Sequence, residues 1–347
     1  MTPSEFLLNF KYAFDPRKPA LTARLAGAVL RSKLGFAPRL RYVDFAVDFA
    51  CNMRCEHCFA ASLRDDSRRR MEAADYARVA RQAMALGAVN FSFQGGEPLV
   101  FLDRLEGVLA ACSPRKNVIS VTTNGSLLDG LNISRLRKAG VNILTVSLDS
   151  GIPQEHDAFR GLPGSFDRIT GGIEQALAAG LRVTLGTVIT HKTVCGEGIR
   201  RLAAMAAEMR VLLYLIFPVP AGKWQGDTSM LLDDSDLEYV RGLVASSPYI
   251  RTDFQANLYG RGCGAGKEIL YLTPYGDVLV CPFVHISFGN IFEDELSVIR
   301  KRALSVPCLA HYHQRCLAST DPDFMRDRLS LTWKAAKLPL DWKQVFK

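Results

Sequence analysis

The residues best suited to chemistry are three closely spaced cysteines, Cys51, Cys55 and Cys58, in the pattern C-x3-C-x2-C. Three thiolates this close can hold three irons of a four-iron cubane cluster and leave the fourth iron open to bind a small molecule. A zinc site with His57 as fourth ligand, and a redox dithiol of Cys55 and Cys58, remain as alternatives. The zinc site requires adjacent His57 and Cys58 to face one metal, and the dithiol leaves Cys51 without a role.

The chain has nine cysteines, and four of the others lie near its C-terminal end. They are Cys263, Cys281, Cys308 and Cys316. Four thiolates suffice to close one cubane cluster, and they also suffice for structural zinc. Cys308 and Cys316 could instead be small buried side chains. Cys112 ends a predicted helix and is expected to be inert, whereas Cys195 lies in a predicted loop.

Composition narrows the class of protein. The chain has 347 residues, 48% of them hydrophobic and 22% charged, which is ordinary globular usage and excludes disordered and collagen-like chains. The longest apolar run, 211–217, stops at Pro218 and is too short to span a membrane. Charges interrupt the first thirty residues, so no secretory signal is indicated. We therefore expect a reducing, cytoplasmic location, where cysteines are metal ligands or reactive thiols rather than a disulfide framework.

The net charge of +8 is concentrated near the start of the chain, where residues 1–45 hold eight cations and three acidic residues. Apolar residues recur there at helical spacing from Leu21 to Leu34, beside Arg24 and Arg31. We expect this basic amphipathic helix to pack on the domain that it precedes. Peripheral contact with an anionic membrane, or binding of an acidic substrate, is the alternative. Nucleic acid is not expected, because no RNA-binding motif or zinc-finger spacing accompanies the charge.

Short β-branched runs alternate with segments of helical period after residue 41. The predicted strands are 42–47, 90–94, 118–122, 141–148, 181–189 and 211–217. The predicted helices are 71–86, 102–111, 126–138, 166–179 and 198–209. This alternation predicts an α/β fold with a parallel sheet, and six units suggest a partial (β/α)6 TIM-like barrel. Functional groups should then cluster at the carboxyl ends of the strands.

From residue 259 the alternation of strands and helices gives way to Gly-rich turns and a predicted hairpin around 273–277. We therefore divide the chain into a basic N-terminal extension (1–41), a barrel core (42–220), a linker with a helical segment (221–258), a small module (259–330) and a C-terminal tail (331–347). No internal repeat or low-complexity linker separates the two folded parts, which predicts that they are tightly docked.

A second motif, Gly95-Gly96-Glu97-Pro98, stands at the end of the second predicted strand. Together with the cysteine triplet after the first strand, it makes the chain resemble the radical S-adenosylmethionine (radical SAM) enzymes. In that family a short Gly-rich segment contacts the amino group of the cofactor's methionine. Two glycines allow close backbone approach, and the Glu97 carboxylate can accept a hydrogen bond from an ammonium.

The resemblance extends to further positions at or just beyond strand ends. It implies that Thr123, Asn124, Ser147, Asp149 and Arg160 contact the cofactor, with Arg160 on the methionine carboxylate. An Arg fork suits a carboxylate, which gives that assignment independent physical sense. The alternative for Ser147 and Asp149 is helix capping. More weakly, the resemblance places His57 where the family prefers an aromatic ring and Ile189 where adenine commonly packs.

The C-terminal cysteines look like those of the Twitch or SPASM modules that carry auxiliary iron–sulfur clusters. A full SPASM module has more cysteines than this chain offers, so we expect a small α+β module with one auxiliary [4Fe–4S] cluster of Twitch type. The cofactors implied are S-adenosylmethionine, a [4Fe–4S] cluster on Cys51, Cys55 and Cys58, and that auxiliary cluster. Epimerases of the family use a thiol to donate hydrogen to a substrate radical, which makes Cys195, after the fifth strand, a candidate donor.

The resemblance implies a radical SAM oxidoreductase that reductively cleaves S-adenosylmethionine to a 5′-deoxyadenosyl radical and abstracts hydrogen from a substrate C–H bond. A reducing partner such as flavodoxin or ferredoxin would supply electrons. Peptide-modifying relatives often carry an N-terminal domain of about eighty residues, and only about forty precede the first strand here. We therefore expect oxidation or rearrangement of a small-molecule natural-product or cofactor intermediate. The alternatives are modification of a ribosomal peptide and a non-catalytic iron–sulfur sensor.

Overall fold

Seven parallel strands with helices between them form the larger part of the computed structural model, which describes residues 11–12, 15–34, 39–253 and 262–346. The strands are β1 (Tyr42–Asp48), β2 (Asn90–Gly95), β3 (Val118–Thr123), β4 (Ile143–Ser147), β5 (Arg182–Val188), β6 (Leu212–Ile216) and β7 (Ile250–Thr252). The helices are α1 (Pro19–Lys33), α2 (Ala73–Ala85), α3 (Leu102–Ala111), α4 (Gly130–Lys138), α5 (Pro153–Arg160), α6 (Ser165–Ala178), α7 (Glu197–Glu208) and α8 (Asp234–Ser246).

The sequence of β1 shows why these strands form. Successive side chains point to opposite faces of a strand, so Phe45 faces the helices while Asp44 faces the other side of the sheet. Phe45 packs against Tyr76 of α2, with ring centroids 5.1 Å apart, and against Phe91 and Phe93 of β2. Both faces of the strand are buried, as expected for a parallel sheet.

The predicted α/β alternation is confirmed, with strand ends shifted by one or two residues. Residues 221–258, predicted as a linker with a helical segment, contain α8, and the structure adds the short strand β7, which pairs in parallel with β6 and continues the barrel. No helix was predicted in the stretch before Arg160, but it forms α5, with Pro153 at its first position and Gly161 ending it in a left-handed conformation.

The C-terminal module extends the same sheet from its other edge. It contains β8 (Ile269–Leu272), β9 (Asp277–Leu279), β10 (Ile286–Asn290), β11 (Leu340–Asp341), α9 (Leu296–Leu304), α10 (Pro307–Ala310), α11 (Pro322–Phe324), α12 (Ser330–Trp333) and α13 (Trp342–Val345). The predicted hairpin joins β8 to β9, and β8 pairs in parallel with β1. The two modules therefore share one continuous sheet, which explains their tight docking.

Two boundaries need comment. The predicted start of the module, residue 259, lies outside the described residues, as do residues 1–10 of the extension. The predicted C-terminal tail is part of the sheet, because β11 pairs with β10. In the described ranges β7 and β11 form the two sheet edges, so the barrel is partial.

The N-terminal segment lies across the amino ends of the strands. The Tyr12 hydroxyl donates to Val183 O of β5 at 2.8 Å, Lys18 Nζ donates to Gly140 O before β4 at 2.9 Å, and Arg24 donates to Lys116 O before β3 at 3.0 Å. The prediction that the basic helix packs on the barrel is confirmed for the side of α1 that faces the amino ends of the strands. None of the helices in the described ranges combines the length and apolar character needed to cross a membrane.

Candidate cofactor site

The cysteine loop begins directly after β1, at the carboxyl edge of the sheet. Gly95 and Gly96, at the end of β2, press against the chain that enters this loop: Gly96 N donates to Asp48 O at 2.7 Å. A Cβ atom on Gly96 would lie 2.1 Å from Ala50 O. The glycine pair is therefore required for the close approach of two backbones, which fixes the position of Glu97 beside the cysteine loop.

Glu97 is the most deeply buried carboxylate of this edge, only 1% exposed. Its oxygens accept hydrogen bonds from Leu99 N (3.0 Å), the Thr123 hydroxyl (2.7 Å) and Asn124 N (2.7 Å). Within the described residues no basic side chain lies in ion-pairing distance of it, and burial raises the pKa of the Glu97 carboxyl. A buried, hydrogen-bonded carboxylate without a cation is suited to receive an ammonium group from a ligand.

Asn124 connects the end of β3 to the cysteine loop. Its Nδ2 donates to Asn52 Oδ1 at 2.8 Å and lies 3.8 Å from Cys51 Sγ, while Asn52 in turn donates to the Ser126 hydroxyl at 2.8 Å. Thr123 is buried and directs its hydroxyl to Glu97. In the structure both residues position other members of the site.

Arg160 and Asp149 form a buried ion pair, with Arg160 Nε 2.5 Å from Asp149 Oδ2. The other oxygen of Asp149 accepts from Val188 N at the end of β5 at 3.0 Å. Burial acts to raise the pKa of Asp149, but Arg160 holds that pKa below its usual value. Arg160 Nη1 also lies 3.7 Å from Cys55 Sγ, which places the guanidinium next to the cysteine loop.

The capping interpretation of Ser147 and Asp149 was wrong. The next helix, α5, has Ile152 as its N-cap residue, and the Ser150 hydroxyl accepts from Ile152 N at 3.0 Å. Ser147 ends β4 opposite Gly186 of β5, and Ile189, immediately after β5, is fully buried.

His57 stacks on Phe159, with ring centroids 4.3 Å apart and planes inclined by 11°, and Trp224 lies 5.9 Å away. Burial lowers the pKa of His57 to about 3. Its Nδ1 atom is buried and has no hydrogen-bond partner within the described part of the chain. The ring thus forms an aromatic wall of the site, the position that the family resemblance implied.

The spacing of the thiols tests which metal group they suit. No three ligand atoms of Cys51, Cys55, Cys58 and His57 lie within 4.8 Å of one another. Tetrahedral zinc, with ligand bonds of about 2.3 Å, would draw its sulfurs to within about 4 Å. The thiols as placed therefore give no support to the zinc alternative, and a four-iron cluster stays the interpretation that uses all three cysteines. Burial raises the pKa of Cys51 to about 11, so a cationic cluster is what would keep that thiol ionised.

One element of the site was missed from the sequence: the turn Gly222–Trp224 after β6. Lys223 N donates to Cys58 O at 3.0 Å, and Lys223 Nζ donates to Arg54 O at 2.9 Å. Gly222 has φ +63°, and a Cβ on it would lie 2.1 Å from Cys58 O. This turn, which we call the clamp, contacts the cysteine loop through these two hydrogen bonds. The available signal was a Gly in the loop that follows β6, on the functional edge of the sheet.

Two of the four C-terminal cysteines, Cys263 and Cys308, lie near a buried lysine. Lys267 Nζ donates to Leu309 O at 2.9 Å, and its charge acts on Cys263 and Cys308. Burial, followed by the negative charge of Cys263, raises the pKa of Cys316. No three of the four sulfurs lie within 4.8 Å of one another, so the structure gives no support to structural zinc at these thiols. The ligand roles of Cys308 and Cys316 stay predictions.

The two cysteine sites meet through an aromatic pair. Phe59, next to Cys58, and Phe283, two residues after Cys281, pack edge to face with ring centroids 5.2 Å apart and planes at 85°. The hydroxyl of Tyr271 on β8 is buried without a hydrogen-bond partner in the described structure. Burial raises its pKa, with smaller contributions from Asp44, Cys58 and Cys281.

The two remaining cysteines differ in environment. Cys112 is fully buried at the end of α3, and burial raises its pKa to about 12, as expected for an inert thiol. Cys195 is exposed in the loop between β5 and α7. Its role as a hydrogen donor stays a prediction.

Comparisons with known proteins agree with this geometry. A model of the radical SAM superfamily matches residues 49–206, and a model of the SPASM iron–sulfur cluster-binding domain matches residues 263–316. The chain is 26% identical to the AdoMet-dependent heme synthase of Methanosarcina barkeri, over 77% of this chain and 83% of that protein. It is 28% identical to the mycofactocin maturase MftC of Mycolicibacterium smegmatis, over 73% and 67%.

Among solved structures, Streptococcus suis SuiB bound to the precursor peptide SuiA has a TM-score of 0.64 at 19% identity, covering 92% of this chain and 75% of that one. That likeness shows the fold. Family and site together define the class: the chain is a radical SAM enzyme that combines a radical SAM domain with a SPASM-type domain. The first domain binds S-adenosylmethionine and a [4Fe–4S] cluster, and the second binds auxiliary iron–sulfur clusters.

Proposed function

We propose that this enzyme oxidises or rearranges a small-molecule intermediate of natural-product or cofactor biosynthesis. The observation that carries the proposal is the likeness to the heme synthase of M. barkeri, which extends over 77% of this chain and 83% of that protein. That relative is named for making a cofactor. The identity of 26% supports the class of product and does not select heme itself.

We assign the residues of the first site as follows. Cys51, Cys55 and Cys58 hold three irons, and the cluster and S-adenosylmethionine, when bound, supply a radical that abstracts hydrogen from the substrate. Glu97, a buried carboxylate without a cation partner, accepts a hydrogen bond from the methionine ammonium. Arg160 binds the methionine carboxylate, supported by its place 3.7 Å from Cys55 Sγ.

The remaining assigned residues shape this site. Asp149 orients the Arg160 guanidinium through their ion pair, and Asn124 orients the cysteine loop. Ser147 and Ile189, at neighbouring strand ends, face the ribose and the adenine. His57, packed against Phe159 and Trp224, excludes water from the cluster. Such fixed contacts keep a reactive radical from reaching solvent.

For the second site we propose that Cys263, Cys281, Cys308 and Cys316 hold one auxiliary [4Fe–4S] cluster. A cluster with four protein ligands has no open iron, so electron transfer is the role that suits it. The enzyme then needs a reductant such as flavodoxin or ferredoxin, and we propose that both act in the cytoplasm.

A second candidate is modification of a ribosomal peptide by cross-linking, epimerisation or oxidation. It is raised by the SuiB structure, which was solved with a precursor peptide bound and shares this fold. Epimerisation would give Cys195, exposed after β5, its role as hydrogen donor.

Deuterium transfer decides between these substrates. The anaerobically reconstituted enzyme is incubated with dithionite, S-adenosylmethionine and either a deuterated small-metabolite extract or a deuterated peptide fraction from the same cells. We expect deuterium in 5′-deoxyadenosine from the metabolite extract, with a Cys55→Ala variant as the blank. Label arising from the peptide fraction alone would overturn the small-molecule proposal and support the second candidate.

A further inference from the structure

The outward face of α1 differs from the rest of the surface. Seven large hydrophobic side chains are exposed in the described structure, and three of them, Val29 (41% exposed), Leu30 (57%) and Leu34 (64%), belong to α1 and the residue that follows it. Ala23 and Ala26 are exposed on the same helix. Scattered exposed leucines are ordinary, whereas three on one helix form a patch. We call these five residues the apolar stripe.

The stripe lies beside a cationic groove. On one side α1 and the starts of β1 and β2 enclose a groove of about 190 Å³ lined by Arg24, Arg31, Arg39 and Arg41. No carboxylate is among the described residues that line it. Arg41 is ion-paired with Glu268 at 3.2 Å, and the remaining guanidinium groups around this small groove make its potential positive.

A second cationic cavity, of about 310 Å³, lies at the starts of β4 and β5. Its lining includes Arg17, Arg137, Lys138 and Arg182, with Asp15 as the one acidic residue in the described lining. Burial lowers the pKa of Arg182 despite the nearby Asp15. The amino edge of the sheet therefore carries positive charge at two places along the path of the N-terminal segment.

We propose that α1 docks this enzyme onto an anionic phospholipid surface. The apolar stripe would enter the boundary between headgroups and acyl chains, and the arginines of the groove would lie among the phosphates, as in helices that lie in a membrane interface. A nucleic acid or an acidic peptide would satisfy the cations but would leave the stripe in water. The combination of stripe and cations thus favours lipid.

The position of α1 makes this docking compatible with turnover. The helix crosses the amino ends of the strands, whereas the cysteine loop follows the carboxyl end of β1. Strand ends on opposite edges of one parallel sheet are separated by the length of the strands. A membrane on the α1 side leaves the cofactor site open to substrate and reductant.

Co-sedimentation with lipid vesicles tests the proposal. The reconstituted full-length protein is mixed with neutral phosphatidylcholine vesicles, or with vesicles containing about one third phosphatidylglycerol. We expect binding to the anionic vesicles, weakened as salt rises, and little binding to the neutral ones. Absence of binding to anionic vesicles at low salt, or equal binding to both kinds, would overturn the proposal.

Variants separate lipid insertion from charge alone. The double change Leu30→Glu with Leu34→Glu should weaken vesicle binding about tenfold or more, and so should Arg31→Glu with Lys33→Glu. Leu131→Glu, at a leucine 70% exposed on α4, is the matched control and should bind normally. Cofactor cleavage without vesicles should be unchanged in all of them, which shows that they fold.

One pattern of results would refute the lipid assignment even if the vesicles bind. If the leucine variant binds as tightly as the wild type while the charge-reversed variant does not, the face is a general polyanion site. Heparin would then displace the wild type and the leucine variant from the anionic vesicles equally well. That result would exclude membrane insertion.

Discussion

The chain builds its two cysteine sites in different ways. The first uses a short loop, 51–58, and surrounds it with side chains from the ends of other strands and of the helix α5, among them Glu97, Asn124 and Arg160. The second draws cysteines from positions spread over 263–316 and anchors them by the backbone, as in the 2.8 Å bond from Cys263 N to His313 O. One site is a loop with polar groups around it, and the other is the interior of a small module.

That difference matches what an open and a closed cluster require. Glu97 is buried beside the first loop with three hydrogen-bond donors and no basic side chain in ion-pairing distance within the described residues, which supports the proposal that it receives a cationic group of a ligand. At the second site the buried charge, Lys267, is already satisfied by backbone carbonyls and nearby thiols. A buried charge paired within the protein indicates a structural role.

The largest effect should come from breaking the first site. Replacing Cys55 with Ala removes an iron ligand and should abolish formation of 5′-deoxyadenosine, measured anaerobically with dithionite. Cys195→Ala removes an exposed thiol on the same edge and is the matched control, with iron content and cofactor cleavage retained. Cleavage by the Cys55→Ala protein at the wild-type rate would refute the assignment of this loop.

Breaking the second site should separate cofactor cleavage from substrate conversion. The wild type should bind about eight irons, and Cys263→Ala with Cys281→Ala should leave about four. Uncoupled cleavage should persist, while conversion of a substrate whose radical must lose an electron should fail. An unchanged iron count would contradict the cluster. The thermal unfolding of the variant must be recorded too, because metal ligation in a small module also stabilises its fold.

The ion pair of Arg160 and Asp149 allows the role of Arg160 in cofactor binding to be separated from its role in the stability of the fold. Arg160→Ala should weaken S-adenosylmethionine binding by about 1.5–3 kcal/mol. It should also destabilise the protein by about 3–5 kcal/mol, because Asp149 is left as a buried, unpaired charge. Equilibrium dialysis and denaturant unfolding measure the two effects.

A second variant distinguishes the two roles of Arg160. Combining Arg160→Ala with Asp149→Asn removes the unpaired charge and should restore most of the stability, while cofactor binding stays weak. If affinity returns together with stability, Arg160 acts only on the fold and does not touch the methionine carboxylate.

The sequence predicted the elements whose periodicity is strong and local. The six strands and the cysteine triplet were recognisable because β-branched runs and a fixed cysteine spacing are properties of neighbouring residues. The strand β7 was missed because it is three residues long and is stabilised by pairing with β6, which no local pattern records. The helix α5 was missed because its eight residues include few apolar ones.

Contacts between distant residues were harder to predict. The ion pair of Arg160 and Asp149 joins two segments that were assigned separately to the cofactor. The hydrogen bond from Thr123 to Glu97 joins the ends of two different strands. The clamp at Gly222 contacts Cys58 only because β6 returns to the edge where the cysteine loop lies. Such relations follow from topology, so they become visible only once the strand order is known.

The clamp provides the next test of how the first loop is held. Gly222→Ala would place a Cβ 2.1 Å from Cys58 O at a residue with φ +63°, so the clamp must shift. We expect a loss of about 1–3 kcal/mol in stability and reduced iron occupancy of the first site, with the second site intact. Gly171→Ala on α6, where a Cβ meets nothing within 4 Å, should instead stabilise by about 0.5–1 kcal/mol. Equal effects of both changes on iron occupancy would rule out a specific role for the clamp.

The smallest expected effect concerns the contact between the two sites, the edge-to-face pair of Phe59 and Phe283. In a double-mutant cycle with Phe59→Leu and Phe283→Leu, the free energies of unfolding should show a coupling of about 0.5–1.5 kcal/mol. Phe346→Leu, at a ring that packs on Phe288 and Phe324 within the C-terminal module, replaces Phe283→Leu in the control cycle. The control should be additive, because Phe59 and Phe346 share no ring contact in the described structure. If the first cycle is additive as well, the two cysteine loops are mechanically independent, and the shared sheet alone sets their separation.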